Sequence, residues 1–372
     1  MEIISHFKRL DWALIISAFL LVGFGLLSLY SSSLGHSSTG EAFGKEDFSN
    51  FQKQVFFFGI GIFLMLFLSF FDWRFFRENS YLVLILYFIF LILLVGLFFF
   101  VPEIRGVKSW YKIGPFSFDP TEFTKIILII LLAKYFSTRH IEMYKFRHIL
   151  LSGFYVLLPA ILIFFQPDLG SVLILIFLWV GMLIISGIKF RHFLILILCG
   201  LLILILSWNF LLKDYQKERI ISFFAPSDPL GISWSQNQAE IAIGSGGIFG
   251  QGFGKGSQTQ YGFLPEPQND FIFSAIAEEF GLIGVSVLLF LFLILIWRII
   301  KIALFSQTNF PRLFATGLSI LLISQVFIHI GMNLGILPII GISLPLVSYG
   351  GSGLISLFAG LGILQSIKKQ AS

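Results

Sequence analysis

Ten segments of about 20 mostly apolar residues recur along this sequence, separated by polar stretches. An apolar helix of about 20 residues is long enough to cross the hydrocarbon core of a membrane. The sequence therefore predicts an all-α polytopic membrane protein with ten transmembrane helices. The predicted spans are 11–31, 52–71, 81–101, 120–136, 148–165, 169–187, 191–212, 270–298, 311–337 and 343–366.

The composition excludes a water-soluble protein. Hydrophobic residues make up 57% of the chain and charged residues only 12%, and the mean hydropathy is +0.92. A soluble domain cannot hide that much apolar surface from water. The single cysteine, Cys199, excludes a disulfide framework. The first apolar segment is too long for the core of a cleavable signal peptide, so we expect it to remain as the first span. We expect residues 1–372 to form one transmembrane domain.

The distribution of charge predicts the orientation in the membrane. If ten spans are present, the basic residues of the short loops, from Lys8 and Arg9 to Lys368 and Lys369, fall on one side, and most acidic residues fall on the other. Basic loops stay in the cytoplasm, so both termini are predicted there. The outer face then carries the polar segments 34–50, 102–120 and 213–269, of which the last is a large extracytoplasmic loop between the seventh and eighth spans.

The long polar, glycine-rich stretch 236–281 is the strongest indication of function. Within it, Asp270 follows the proline-flanked residues 265–267 and precedes the apolar residues 271–273. This position predicts a partly dehydrated carboxylate at the outer membrane surface, which suits a general base. The alternative is that Asp270 is the N-cap of the eighth span.

Further acidic residues are expected inside the membrane. Glu278 and Glu279 lie deeper in the eighth span, and one of them is expected to pair with a basic or amide group. Glu122 and Lys125 are three residues apart at the start of the fourth span and share a helix face. They form either a mutually neutralising ion pair or the lining of a polar cavity that meets an anionic or sugar headgroup.

Asp168 follows Gln166 and Pro167 at the start of the sixth span. A carboxylate at this position caps the first helical turn, contacts a substrate, or does both.

Basic and aromatic residues of the outer segments are candidates for binding a phosphate or a membrane headgroup. Lys108 and Trp110 lie in the second outer segment, and Arg219 and Lys255 lie in the third. The glycines around Lys255 do not form a nucleotide-binding loop, because Gly256 stands where that motif has serine or threonine.

The last two spans also carry polar residues. Gln325, His329 and Asn333 recur every four residues in the ninth span, and hydrogen bonding between helices is their expected role. A zinc site is not predicted, because no second histidine or cysteine lies at ligand spacing. The glycine-rich stretch 344–353 at the head of the tenth span favours close packing or a broken helix.

Together these motifs resemble the SEDS family of bacterial cell-wall polymerases. Within that family the residues 258–260 and 263–266 are more similar to the elongation member than to the division member. Two positions depart from the family pattern. Asn269 stands where threonine usually precedes the aspartate, and Gly353 stands where serine often ends the Ser-Tyr-Gly-Gly motif. The matching residues are 106–110, 120–125, 166–171, 242–247, 254–260, 264–273, 278–281 and 344–352.

The resemblance implies a peptidoglycan glycosyltransferase of the bacterial cytoplasmic membrane that polymerises lipid II during cell elongation. It implies a class B penicillin-binding protein transpeptidase and the cell-elongation machinery as partners, and no nucleic acid. Asp270 matches the aspartate to which the family assigns catalysis. The resemblance and the residue chemistry together give these substrate-binding candidates: Lys108, Trp110, Glu122, Lys125, Asp168, Arg219, Lys255 and Glu266.

The charge on the pyrophosphate leaving group needs a cation. Lys108, Lys125, Arg219, Lys255 or a divalent cation, Mg²⁺ or Mn²⁺, would supply it, and the sequence leaves this choice open. No other cofactor is expected. Two other functions are compatible with a polytopic bundle: a lipid II flippase, and a non-catalytic scaffold that activates the penicillin-binding protein.

Overall fold

The computed structural model describes residues 2–34, 44–101, 109–114, 116–139, 146–210, 212, 214–224 and 232–371. This part of the chain is mostly helical, and its two strands form one antiparallel hairpin, in which Tyr111 pairs with Phe118. The hairpin strands are β1 (Tyr111–Ile113) and β2 (Phe116–Phe118). The helices are α1 (Glu2–Arg9), α2 (Trp12–Ser33), α3 (Gly44–Phe70), α4 (Arg74–Glu78), α5 (Ser80–Phe100), α6 (Pro120–Arg139), α7 (Phe146–Phe165), α8 (Leu169–Ile185), α9 (Phe190–Phe210), α10 (Asp214–Phe224), α11 (Ile232–Gly246), α12 (Ser257–Gln260), α13 (Ile272–Phe305), α14 (Asn309–Asn333) and α15 (Gly351–Ala371).

Eight helices of the described part are long and apolar enough to cross a membrane: α2, α3 over Ser49–Phe70, α5, α7, α9, α13, α14 and α15. The prediction of a multi-pass helical membrane protein is thereby confirmed. The two remaining predicted spans coincide with α6, which contains four charged residues, and with α8, which has 17 residues.

The buried centre of the bundle contains α6, α14 and α15. Most of α6 is buried in spite of its charged residues. Helix α15 lies close against α3, because Gly351 meets the Phe57 ring and Gly362 meets the backbone of Met65. Small residues allow such close helix approach in membranes. At the opposite extreme, α9 has no buried residue, so it lies at the edge of the bundle.

The eighth predicted span has the wrong form, because α13 is broken near its start. Gly281 has φ 65° and ψ −164°, which is not helical. The glycine-rich residues 247–252 lie against the break: Gln251 N donates to Glu278 O at 2.9 Å, and Leu282 N donates to Gly247 O at 2.9 Å. Backbone groups freed by a break in a membrane helix need such replacement partners. The continuous apolar part of α13 therefore starts after Gly281 and ends at Phe305, beyond the predicted end at residue 298.

Two other predicted elements differ from the structure. Helix α15 begins at Gly351 and not at residue 343, because the backbone turns at Leu346, where φ is +65°. The segment 213–269, predicted as a large loop, contains the helices α10, α11 and α12, and its extracytoplasmic placement stays a prediction. Helix α11 is ordered by burial of Ala239 and Ala242.

Candidate functional site

The chain between α14 and α15, residues 334–350, is the centre around which the predicted site residues gather. A Cβ built on Gly170, at the start of α8, would lie 2.8 Å from the carbonyl oxygen of Ile340. A Cβ built on Gly341 would lie 4.0 Å from Oδ2 of Asp270, just before α13. A Cβ built on Gly353, in the first turn of α15, would lie 3.5 Å from Oε2 of Glu122 in α6. Four helix starts, those of α6, α8, α13 and α15, therefore meet at one end of the bundle.

Asp270 lies at the end of the turn that leads into α13. Its side chain is partly buried, whereas the following Phe271 is fully buried. The N-cap of α13 is Phe271, which makes no side-chain capping bond. The interpretation of Asp270 as the N-cap of this helix is therefore wrong. Its carboxylate is instead directed beside the 334–350 segment, where Gly341 with φ +73° leaves room for it.

Glu122 and Lys125 form the expected ion pair. Lys125 Nζ lies 2.6 Å from Glu122 Oε1, and the lysine side chain is buried while the glutamate remains partly exposed. Asp119 and Asp168 interact electrostatically with the same lysine. One buried cation is thus surrounded by three carboxylates, and Glu122 is partly open to its surroundings.

Asp168 is the N-cap of α8, as predicted. Its side chain accepts a hydrogen bond from Ser171 N at 3.0 Å. The capping role fixes the carboxylate close to Lys125 and Asp119. Contact of Asp168 with a substrate stays a prediction.

Asp119 belongs to the site but was missed by the sequence analysis. It follows β2, its backbone N donates to Ser352 Oγ at 2.8 Å, and its Oδ1 accepts from Thr121 N at 2.8 Å. Loss of hydration, and then the neighbouring Glu122 and Asp168 carboxylates, raise the pKa of Asp119 from 3.8 to about 7. The sequence carried a signal for it: an aspartate, a proline and a glutamate three residues on are typical of a capped helix start.

Glu278 and Glu279 are structural carboxylates inside the bundle. Glu278 is completely buried and accepts hydrogen bonds from Gln258 N (2.6 Å), Thr259 N (3.0 Å), Thr259 Oγ1 (2.7 Å) and Ser257 Oγ (3.3 Å). It therefore caps α12. Glu279 accepts from Ser31 Oγ and from Gln260 Nε2. The predicted pairing with an amide is confirmed for both residues.

The remaining candidates lie in different surroundings. Lys255 is exposed, Trp110 is 37% exposed, and Glu266 Oε2 accepts from Asn269 Nδ2 at 3.1 Å. Lys108 lies outside the described residues. Arg219 is part of α10, and its side chain is outside the described part. The binding roles of these residues stay predictions.

The predicted hydrogen bonding between helices is confirmed for Asn333, whereas His329 bonds to the segment between α14 and α15 and the buried Oε1 of Gln325 has no partner in the described part of the chain. His329 is bonded through Nδ1 to Ile342 O at 2.7 Å, and Asn333 is bonded to Ser274 and Asp270. Among the described residues, no group of three or more histidine, cysteine or acidic side chains could hold a metal ion. A divalent cation at the leaving group remains a prediction.

An apolar groove runs beside the hairpin that leads to Asp119. Its volume is about 630 Å³, and Lys112 is its one charged lining residue among those that the structure describes. Tyr111 closes one wall and donates from its hydroxyl to Leu93 O at 2.6 Å. A groove of this size and polarity can hold part of a hydrocarbon chain. The other lining residues are Ile92, Leu93, Val95, Gly96, Phe99, Phe100 and Phe118.

Comparison with known proteins gives a consistent result. The family described as "Cell cycle protein" (FtsW, RodA, SpoVE) matches residues 11–372. The peptidoglycan glycosyltransferase MrdB of Escherichia coli (strain K12) is 40% identical over 283 residues, which is 76% of each chain. A chain solved in work on "polymerization and crosslinking by a peptidoglycan synthase complex" has a TM-score of 0.78 and 30% identity, covering 97% of this chain and 98% of that one. The crystal structure of the rod shape determining protein RodA of Thermus thermophilus has a TM-score of 0.69 and 29% identity, with 97% of each chain covered.

Proposed function

Because this chain belongs to the FtsW/RodA/SpoVE family of cell cycle proteins, which is the SEDS family, we propose that it is a peptidoglycan glycosyltransferase. It polymerises lipid II into glycan strands during cell elongation. The observation that carries this proposal is the meeting, at one end of the bundle, of the helix starts that carry Asp270, Asp168 and the Glu122–Lys125 pair.

The proposed reaction assigns one role to each part of the site. Asp270 takes the proton from the C4 hydroxyl of the acceptor GlcNAc, and that oxygen attacks the anomeric carbon of the donor MurNAc. The bond from the anomeric carbon to the pyrophosphate breaks with inversion, and undecaprenyl pyrophosphate leaves. The exposed Lys112, which lines the apolar groove, and the exposed Lys255 are candidate cations for the negative charge of the leaving group. Lys125 is a further candidate, although Glu122 already pairs with it.

The lipid part of the substrate needs an apolar surface beside the site. The groove next to Tyr111 is suited to the first isoprenoid units, because its walls are hydrocarbon and aromatic rings. The hairpin that forms one wall continues into Asp119 and α6, so the groove and the charged cluster are connected by a short stretch of chain.

The proposed membrane arrangement has ten spans, with α6 and α8 as the two additional ones. Both termini are cytoplasmic, and the starts of α6, α8, α13 and α15 face outward. A membrane-impermeant maleimide tests this in intact cells that carry Cys199→Ser. Tyr261→Cys is expected to react and Glu78→Cys is expected not to react, since both side chains are exposed but lie at opposite ends of the bundle. Labelling in the reverse pattern would overturn the orientation.

A class B penicillin-binding protein is the proposed partner. The support is the likeness to a chain from a peptidoglycan synthase complex over nearly the whole length of both proteins. The partner's transpeptidase would crosslink the strands that this protein makes.

The test of the activity is the fate of labelled lipid II in liposomes that contain this protein and its partner. Glycan chains of increasing length are expected. Transfer of lipid II between leaflets without chains would contradict the proposal and support a flippase.

A further inference from the structure

We propose that Asn333 is a positioning residue for Asp270: it caps α13 from the neighbouring helix α14 and fixes the backbone from which the Asp270 carboxylate extends. This inference rests on the proposed role of Asp270 as general base. It concerns how the base is held, which the role itself does not specify.

Asn333 is the last residue of α14, and its side chain is completely buried. Its Oδ1 accepts from Ser274 N at 3.2 Å and from Ser274 Oγ at 2.6 Å. Its Nδ2 donates to Asp270 O at 2.9 Å and to His329 O at 2.8 Å. A primary amide has two donors and two acceptor sites, so all four positions are used.

The capping bond replaces one that the sequence of α13 cannot supply. The N-cap is Phe271, whose side chain has no acceptor, and Ser274 is the third residue of the helix. The third amide of a helix is normally bonded by the N-cap side chain. Asn333 provides that acceptor from another helix, and it therefore ties the start of α13 to the end of α14.

The turn before Asp270 is held at three successive carbonyl groups. Gln268 O accepts from Tyr349 N at 2.9 Å, Asn269 O accepts from Ser348 Oγ at 3.0 Å, and Asp270 O accepts from Asn333 Nδ2. The last two bonds fix the peptide planes on either side of the Asp270 Cα. Two fixed planes determine the φ and ψ of that residue and hence the direction of its Cα–Cβ bond.

The consequence for the reaction is geometric. A general base must lie within hydrogen-bond reach of the hydroxyl that it deprotonates, and small displacements of a catalytic group cost large factors in rate. Loss of the Asn333 bond would leave this peptide plane with the longer bond from Phe271 N to Glu266 O, at 3.4 Å, and would loosen the orientation of the Asp270 carbonyl. It would therefore move the carboxylate without changing its chemistry.

The experiment is a double-mutant cycle in which kcat for lipid II polymerisation is measured for each variant. The fraction of each preparation that binds lipid II is measured first, and kcat is calculated for that fraction. Asn333→Leu removes the Asp270 bond and is expected to lower kcat by about 10- to 100-fold with KM changed by less than about threefold. Gln325→Leu is the matched control, because it removes another buried amide of α14, and it is expected to stay within about twofold of the wild type. If Asn333 acts through Asp270, the double variant Asp270→Asn/Asn333→Leu is no slower than Asp270→Asn alone.

Independent, multiplicative losses in the double variant would overturn the inference, because they would show that Asn333 supports the fold and not the base. So would a wild-type kcat for Asn333→Leu. If Asn333→Leu does not fold, Asn333→Asp keeps the acceptor for Ser274 and removes the donor to Asp270 O, and the same cycle with Asp270→Asn applies. A wild-type rate for Asp270→Asn would instead refute the proposed base itself, so the two failures are distinguishable.

Discussion

Replacing Glu278 by alanine is expected to release the short helix α12 from the bundle. The carboxylate is fully buried, and four donors of residues 257–259 end on it. The two hydroxyls can rotate toward other acceptors, but the amides of Gln258 and Thr259 are the first-turn amides of α12 and have no helical partner.

The magnitude follows from those two amides. A hydrogen bond to a charged acceptor contributes about 1.5–3 kcal/mol, so two give about 3–6 kcal/mol. Ser257 and Gln258 are only partly buried, and water would replace some of the lost bonding. We therefore expect local opening of α12 to become easier by about 2–4 kcal/mol, which is about 30- to 1,000-fold in its opening equilibrium.

Hydrogen–deuterium exchange of the protein in lipid nanodiscs measures this opening directly. The amides of 258–260 are expected to exchange about 30- to 1,000-fold faster in Glu278→Ala than in the wild type. The control is Glu78→Gln, which changes an exposed carboxylate at the other end of the bundle and is expected to leave this exchange unaltered. Unchanged exchange in Glu278→Ala would refute the assignment of Glu278 as the cap of α12.

Two further predictions concern stability. Asp119→Asn keeps the oxygen that caps α6 but removes the negative charge. The pKa of Asp119 is about 7 in the native protein and 3.8 as the reference for the unfolded chain. As pH rises from 3.8 to 7, the unfolded wild type therefore loses its proton more readily than the native wild type, and the native state is destabilised. Between pH 4 and 7, the unfolding free energy of the variant should rise by about 2 kcal/mol relative to that of the wild type, as measured by thermal melts in nanodiscs. This value is smaller than the full pKa difference would give, because the carboxylate is partly exposed. A difference that does not change with pH would show that the carboxylate is already ionised at low pH. Gly281→Ala should lower the unfolding free energy by about 2–5 kcal/mol, because φ is +65° and the added Cβ would lie 2.3 Å from Gly250 N. Gly59→Ala, in α3 with no atom within 4 Å of the added Cβ, is its control, and equal melting temperatures for the two variants would contradict the described break.

The sequence predicts the apolar helices well because a membrane requires a long apolar segment for each crossing. The predicted helix boundaries are wrong where an apolar segment is not helical. Residues 344–350 read as the start of a span, yet the backbone reverses at Leu346, and this segment becomes the centre of the site. Hydropathy does not distinguish a buried irregular segment from a helix.

Some features of the candidate site could be predicted from neighbouring residues in the sequence, whereas others depend on contacts between distant parts of the chain. Local signals identified the Glu122–Lys125 pair and the Asp168 cap, since these depend on neighbours in sequence. The contacts of the glycine-rich residues 247–252 depend on the break at Gly281, about 30 residues away in sequence, and no local signal predicts them. Asn333 was expected to bond between helices, but its partner before α13 follows only from the tertiary fold.

The rate of glycan-chain formation by Asp270→Asn, purified with its penicillin-binding protein and supplied with lipid II, tests the central claim most directly. A general base contributes about 10²–10⁴-fold, so the variant is expected to lose about that factor while it still binds its partner and lipid II. Chain formation near the wild-type rate would contradict the account and show that the proton leaves by another route.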